Sequence, residues 1–293
     1  MDIVITYVNG LDPKWQQEYQ HYTSTPILEK RFRDWGTLRY LFRGIDSMMP
    51  FVCRVHLVVA YESQVPEWVN RGTVNVVLHR DFIPAEYLPT FNSNTIEMFL
   101  HRIEGLDEEY LYFNDDMFPV GECRKEDFFV EGRGVLGMSR HLIALNMFKH
   151  ICRNSDRMVR RVLGVATPPW FLRPQHICSP MLKSECCDLF AKAESEIRAS
   201  LTRVRCEHNL TQYIYLNYMY LRGKLINRRL SKKHFSVGLA SASELRDFLM
   251  KPTHTFVCIN DVKLYGSRFE ELQRAVTGAF EERFPLKSKF ENE

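Results

Sequence analysis

The sequence has no apolar run near the ~20 residues that a membrane-spanning helix needs, and no repeated or low-complexity tract. Charge of one sign is not in excess: 39 Lys and Arg face 36 Asp and Glu, a formal net of +3. Duplex-binding proteins carry a concentrated basic face, so no nucleic-acid partner is expected, although a cationic pocket for a phosphorylated small molecule stays open. Cysteine is present without pattern. The eight residues (Cys53, Cys123, Cys152, Cys178, Cys186, Cys187, Cys206 and Cys258) form no CxxC pair, which favours reduced thiols over a disulfide framework. Nor do His176, Cys178, Cys186 and Cys187 match a standard zinc spacing. The opening residues Met1-Asp2-Ile3-Val4-Ile5 lack the basic start and apolar length of a signal peptide. A cytoplasmic location is expected, with peripheral attachment at the inner face of a membrane left open.

What is there reads as an ordinary globular chain of 293 residues, 45% hydrophobic and 26% charged. A chain of this length buries roughly three quarters of its unfolded surface and needs no staple. Over the first 120 or so residues, β-branched runs alternate with helical patterns. Strands are expected at 3–8, 55–60, 74–78 and 110–113, and helices at 37–48 and 94–103. In the latter helix Ile96, Phe99, Leu100 and Ile103 form one apolar stripe. This alternation predicts an α/β fold with a mostly parallel sheet and ligands at the carboxyl ends of its strands. Residues 147–223 read as a helical insertion or lid within a single catalytic domain, 1–293. Helices at 241–251 and 267–284 flank a strand at 255–259.

One constellation stands out. The run Tyr112-Phe113-Asn114-Asp115-Asp116-Met117-Phe118 ends a hydrophobic strand in two carboxylates and an amide. Such an oxygen-rich set suits Mg²⁺ or Mn²⁺, and hence a pyrophosphate; an acidic turn is the plainer alternative. Strand one ends in Val8-Asn9-Gly10-Leu11-Asp12-Pro13, which is either turn chemistry or a loop beneath a nucleotide, its glycine admitting close approach. Arg31, Arg33, Asp34, Arg39 and Arg43 lead into the first long helix. Arg39 and Arg43, four apart, share a face and suit either a phosphate clamp or a solvated surface. Glu97 and His101 are also four apart. His176 follows the proline-rich stretch Thr167–Pro174, and Asn260-Asp261 ends a predicted strand.

Their joint pattern resembles the Stealth family. Asp2-Ile3-Val4-Ile5-Thr6-Tyr7-Val8-Asn9-Gly10-Leu11-Asp12-Pro13 resembles its first block. Arg33-Asp34-Trp35-Gly36-Thr37-Leu38-Arg39-Tyr40 through Phe113-Asn114-Asp115-Asp116 resembles its second. His176, Pro180, Lys183 and Val204-Arg205 resemble the third, and Phe256-Val257-Cys258-Ile259-Asn260-Asp261 the fourth. Thr37 departs from relatives that carry Glu there. Members of the family are sugar-1-phosphate transferases, among them bacterial capsular polysaccharide phosphotransferases and the N-acetylglucosamine-1-phosphotransferase that tags lysosomal enzymes. The resemblance implies a fold related to the A-type glycosyltransferases, a UDP-sugar donor, a glycan acceptor, a divalent cation (Mg²⁺ or Mn²⁺), and active-site roles for Asp2, Glu97, Asp116, His176, Arg205 and Asn260.

On that resemblance the expected reaction is transfer of an N-acetylhexosamine-type hexose-1-phosphate to a sugar hydroxyl, with UMP leaving, in a bacterial, capsule-type enzyme. Asp116, Asp115 and Asn260 are expected at the metal. Asp2, Asn9, Gly10, Arg33, Arg39 and Asn114 are expected at the donor, with Arg205 and Arg39 on phosphate. His176 is the expected base, a role it can exchange with Asp116. Two alternatives stand: a metal-dependent glycosyltransferase that releases UDP, and a non-catalytic carbohydrate-binding protein. Donor sugar, acceptor, linkage and oligomeric state are not legible in the sequence.

Overall fold

A computed structural model describes residues 1–24, 26–27 and 32–292; Arg31 lies outside the described residues. In chain order the elements are β1 (Asp2–Thr6), α1 (Pro13–Tyr22), α2 (Leu38–Met48), β2 (Arg54–Val59), β3 (Val74–Leu78), α3 (His79–Phe82), α4 (Ser93–Glu97), β4 (Glu109–Asn114), β5 (Met117–Pro119), β6 (Phe129–Val130), β7 (Arg133–Leu136) and β8 (Met138–His141). Then follow α5 (Met147–Leu163), β9 (Phe171–Pro174), β10 (Ser179–Leu182), α6 (Lys183–Lys192), α7 (Glu194–Ser200), α8 (Tyr213–Leu221), β11 (Leu225–Asn227), β12 (Lys232–Ser236), α9 (Ala242–Met250), β13 (Phe256–Asn260) and α10 (Arg268–Arg283).

The fold is α/β with a mostly parallel sheet, as the alternating pattern predicts. Five strands run in the order β10-β4-β1-β2-β3, with β10 antiparallel to β4. Ile3, Val4 and Ile5 of β1 and Leu57, Val58 and Val59 of β2 are fully buried. Consecutive buried residues mean that both faces of these strands are covered, which is why they read as unbroken apolar runs instead of alternating ones.

The chain divides into two compact units, each assembled from separated segments. The first comprises Met1–Val4, Val77–Tyr112 and Glu126–Leu230. Its sequence from 147 to 223 is mainly helical, as expected. Helix α8, Tyr-Ile-Tyr-Leu-Asn-Tyr-Met-Tyr-Leu, is apolar on all sides and buried from Tyr213 through Met219; such a helix belongs inside a core. The helical stretch after β10 is broken at Ala193 into α6 and α7. Residues 171–174 of the proline-rich stretch form strand β9, paired antiparallel with β8.

The second unit comprises Ile5–Val76, Phe113–Lys125 and Ser231–Glu293. In it β12, β13 and β5 form a sheet, and α2 lies so close to β5 that a Cβ on Gly44 would stand 2.8 Å from the Pro119 carbonyl oxygen. The segment near the C-terminus is fastened to the same unit. Phe290 is buried, and its carbonyl accepts the Asn70 N–H at 2.8 Å.

The helix expected at 94–103 forms only in part. After α4 the backbone turns to i→i+3 hydrogen bonds (Phe99 N to Ile96 O, 3.1 Å; Arg102 N to Phe99 O, 2.8 Å). With about three residues per turn, positions 97 and 101 no longer lie one above the other. The Glu97–His101 pairing drawn from helical spacing is therefore not made.

Candidate active site

In the second unit the turn between β4 and β5 carries Asp115 and Asp116. Strand β5 pairs antiparallel with β13, with Cys258 opposite Met117, and the Ile259 N–H donates to the Asp116 carbonyl at 3.0 Å. That register carries Asn260, the last residue of β13, to the same turn, so the two separated motifs expected at a metal are brought together. The Cys258 thiol donates to Asp116 Oδ2 at 3.5 Å. Burial and the Asp116 charge hold that thiol well above its ordinary pKa, so it acts as a neutral donor.

Asp34 joins them from the segment before α2. The Tyr7 hydroxyl donates to Asp34 Oδ2 at 2.9 Å, and burial with the charges of Asp34 and Asp115 raises its pKa. Asp115 bears the consequence of this crowding. Burial first, then the charges of Asp116 and Asp34, push its carboxyl up to about 7. Like charges held together in a partly desolvated site favour keeping a proton, and a cation among them removes that preference. Asp261, next to Asn260, accepts from Trp35 Nε1 at 3.1 Å and lies 3.8 Å from Arg33 NH1. Arg33 also covers the Phe269 ring, at 4.5 Å.

Three residues expected at the donor are engaged within the protein. At Gly10 the N–H donates to the Phe32 carbonyl at 3.1 Å, and a Cβ there would stand 2.2 Å from that oxygen. Asn9 is a turn residue, its Oδ1 accepting the Leu11 N–H at 2.9 Å, while Asp12 caps α1 through the Trp15 N–H at 2.8 Å. Arg39 and Arg43 converge on Glu291, at 3.4 and 2.9 Å. Arg43 also binds Glu281 and the Phe284 carbonyl. The pair ties α2 to the C-terminal segment.

The remaining expected residues belong to the first unit. Asp2, fully buried at the start of β1, is put to structural use, accepting the Asp107 N–H at 3.1 Å. Glu97 is buried and accepts from Thr211 Oγ1 (2.9 Å), the Gln212 N–H (3.1 Å) and the Tyr112 hydroxyl (3.4 Å). Burial raises its pKa while these donors and the Arg205 charge oppose the rise. Arg205 donates to Ser93 Oγ, in a loop fixed by Asn92, which binds Thr202 and Asn209. It therefore precedes α8 by eight residues in sequence and serves Glu97 as counter-charge. His101 is buried against Phe190 and Tyr215; burial and the neighbouring Arg102 and Lys183 push it down to about 4. His176 is half-buried just beyond β9, where Gln175 binds the Gly137 carbonyl (2.7 Å) and Leu230. That anchoring, not the prolines alone, fixes its backbone.

In the sequence Tyr7 has no assigned role, Asp261 stands only beside Asn260, and Asp34 is one charge among several arginines. The legible signal was the polar tip of an otherwise apolar strand one, paired with an Asp immediately before a buried Trp.

Residues 31–135 match the second conserved region of Stealth proteins, a span that holds Asp34, Asp115 and Asp116. A capsular polysaccharide phosphotransferase of Streptococcus thermophilus is 38% identical over 173 residues, 55% of this chain and 71% of that protein. The chain belongs to the Stealth family. Likeness to other polysaccharide phosphotransferases runs end to end. One from Streptococcus pneumoniae is 27% identical across 99% of this chain and 98% of its own. An exopolysaccharide phosphotransferase of Lactiplantibacillus plantarum is 28% identical across 99% and 96%. Among solved structures, a galactosyltransferase in complex with donor and acceptor sugar analogues covers 94% of this Stealth chain at 14% identity, with a TM-score of 0.39.

Proposed function

We propose that this Stealth protein transfers hexose-1-phosphate, of the N-acetylhexosamine type, from a UDP-sugar to a sugar hydroxyl during capsular or surface polysaccharide synthesis. The acceptor oxygen bonds to the phosphorus next to the sugar, the bond from that phosphorus to the oxygen of UMP breaks, and the acceptor proton passes to a base. Such transfers consist largely of positioning and charge neutralisation. The observation that carries the reading is the carboxyl cluster of Asp34, Asp115 and Asp116 inside the Stealth-matching span, with Asp115 pushed up to about 7. The carboxylate and amide oxygens of this set suit Mg²⁺ or Mn²⁺, and the Cys258 thiol against Asp116 is held protonated.

Asp116, with Asp115 and Asn260, would hold the cation, which supplies neutralisation of pyrophosphate charge when bound. Asp34 holds Tyr7 in place beside them. Arg205, with one N–H given to Ser93, is assigned to phosphate oxygens by its planar fork. Arg33 and Asn114 are assigned to the donor, and His176, whose imidazole can take a proton, to the acceptor hydroxyl. The full-length likeness to polysaccharide phosphotransferases supports the substrate class.

The test is the nucleotide product. With a UDP-N-acetylhexosamine, a sugar acceptor and Mn²⁺, chromatography is expected to find UMP. Release of UDP would make the protein a glycosyltransferase. Sugar binding with neither product, undiminished by chelation, would make it a binding protein.

A further inference from the structure

Nine large apolar side chains are exposed among the described residues, and four of them fall within residues 138–165: Leu142 (67%), Ile143 (62%), Leu145 (78%) and Val165 (42%). Scattered single cases need no explanation, but three within four consecutive residues form a patch. The same stretch holds six Lys or Arg against one Asp, a net of +5 in a chain whose total is +3. Basic charge is thus concentrated around this exposed apolar loop and absent on balance elsewhere.

The geometry is local to the first unit. Strand β8 ends at His141, paired with Phe171 of β9, so Leu142 and Trp170 leave the same end of the hairpin. The Arg140 guanidinium lies over the Trp170 ring at 4.5 Å. Burial and the charges of Arg173 and Lys149 together hold His141 below its ordinary pKa, which marks both cations as neighbours of the loop. Of the other basic residues, Arg160 is committed to Asp156 and Arg161 to Glu196, while Arg157 is exposed. Helix α5 starts from Asn146, whose side chain caps the Lys149 N–H at 3.0 Å, so the loop stands on a fixed base. Exposed aliphatics, a half-buried Trp and surrounding cations are the composition of an interfacial anchor.

We infer that the loop Leu142-Ile143-Ala144-Leu145 docks the protein on an anionic lipid surface, its apolar tips entering the headgroup boundary and Arg140, Lys149 and Arg173 facing lipid phosphates. No helix among the described residues is long and apolar enough to cross a membrane, so this would be attachment from one side. It goes beyond the proposed reaction and does not depend on it.

The test is co-sedimentation of the full chain with vesicles of phosphatidylcholine alone or with about a third phosphatidylglycerol. Binding is expected to the anionic vesicles, weaker to the neutral ones, and to fall as salt rises. The variant Leu142→Ser/Ile143→Ser/Leu145→Ser should lose roughly ten-fold or more in partitioning with an unchanged melt, because these side chains are already in water. Arg140→Gln/Lys149→Gln should lose roughly ten-fold on anionic vesicles alone. Nucleotide release with a soluble acceptor should be untouched in both. Absence of binding, or binding by the triple variant equal to the parent, would overturn the inference. So would a concentration-dependent dimer dispersed by the triple variant, which would assign the patch to a second copy.

Discussion

Two carboxylates, buried Glu97 and half-buried Asp115, differ in what surrounds them. Glu97, in the first unit, is met by a threonine hydroxyl, a backbone N–H, a tyrosine hydroxyl and the charge of Arg205. Asp115, in the second, is met by two more carboxylates. Burial raises both pKa values, but what surrounds Glu97 opposes the rise and what surrounds Asp115 adds to it. A satisfied carboxylate holds structure together. A crowded one is incomplete, and its chemistry calls for a cation.

The largest expected effect breaks the pair apart by activity. Chelation should abolish turnover and Mg²⁺ or Mn²⁺ should restore it, and Asp116→Asn should lower kcat roughly 10³-fold without loss of melting temperature. Steady-state rates beside a thermal melt check this, and full activity in excess chelator would remove Asp116 from its role. Glu97→Ala should do the opposite in the melt. It strands buried donors, so it should cost roughly 2–4 kcal/mol and lower Tm by about 5–15 °C.

pH sharpens the contrast. A folded carboxyl at about 7 keeps a proton that the unfolded chain releases above ~4. Stability should therefore fall as pH rises from about 4 to about 7 and level off above it, by a few kcal/mol at most. Asp115→Asn should flatten that part of the curve and raise stability at neutral pH. Mn²⁺ should relieve it in the parent. The part owed to Glu97 has the same sign but should not respond to cation. Melts across pH 4–8, with and without metal, separate the two.

The smallest effect concerns Arg205. Arg205→Lys keeps the charge near Glu97 but loses the fork, so the melt should move by about 1 kcal/mol or less. UMP release should nonetheless drop by an order of magnitude or more. A variant that turns over like the parent would leave Arg205 with the Glu97 network alone.

The apolar strands were legible because their side chains are covered on both faces, and 74–78 agrees residue for residue with β3. The short strands β5 to β9 were not, since two to four residues carry no period and their partners lie far away in sequence. In the site, Asp115, Asp116 and Asn260 could be read from strand-end polar residues. At Gly10 and Arg39 the sequence does not name the partner, because a close approach or a shared helix face has the same signature whether that partner is a ligand or another part of the protein. Asp2 was carried over by resemblance, while its position at the beginning of β1 gives it a backbone to bind. Tyr7 is held in the cluster by a hydrogen bond to Asp34, 27 residues on, a pairing no local pattern encodes.

In the proposed function the carboxyl cluster is a cation site, and calorimetric titration of the protein with Mn²⁺ at pH 7.5 tests that directly. The parent should bind the ion with release of protons, because Asp115 is partly protonated there. Asp115→Asn should bind with less proton release, Asp116→Asn should not bind measurably, and Glu97→Gln, folded at low temperature, should bind like the parent. Absence of binding by the parent, or loss in Glu97→Gln with retention in Asp116→Asn, would contradict the account.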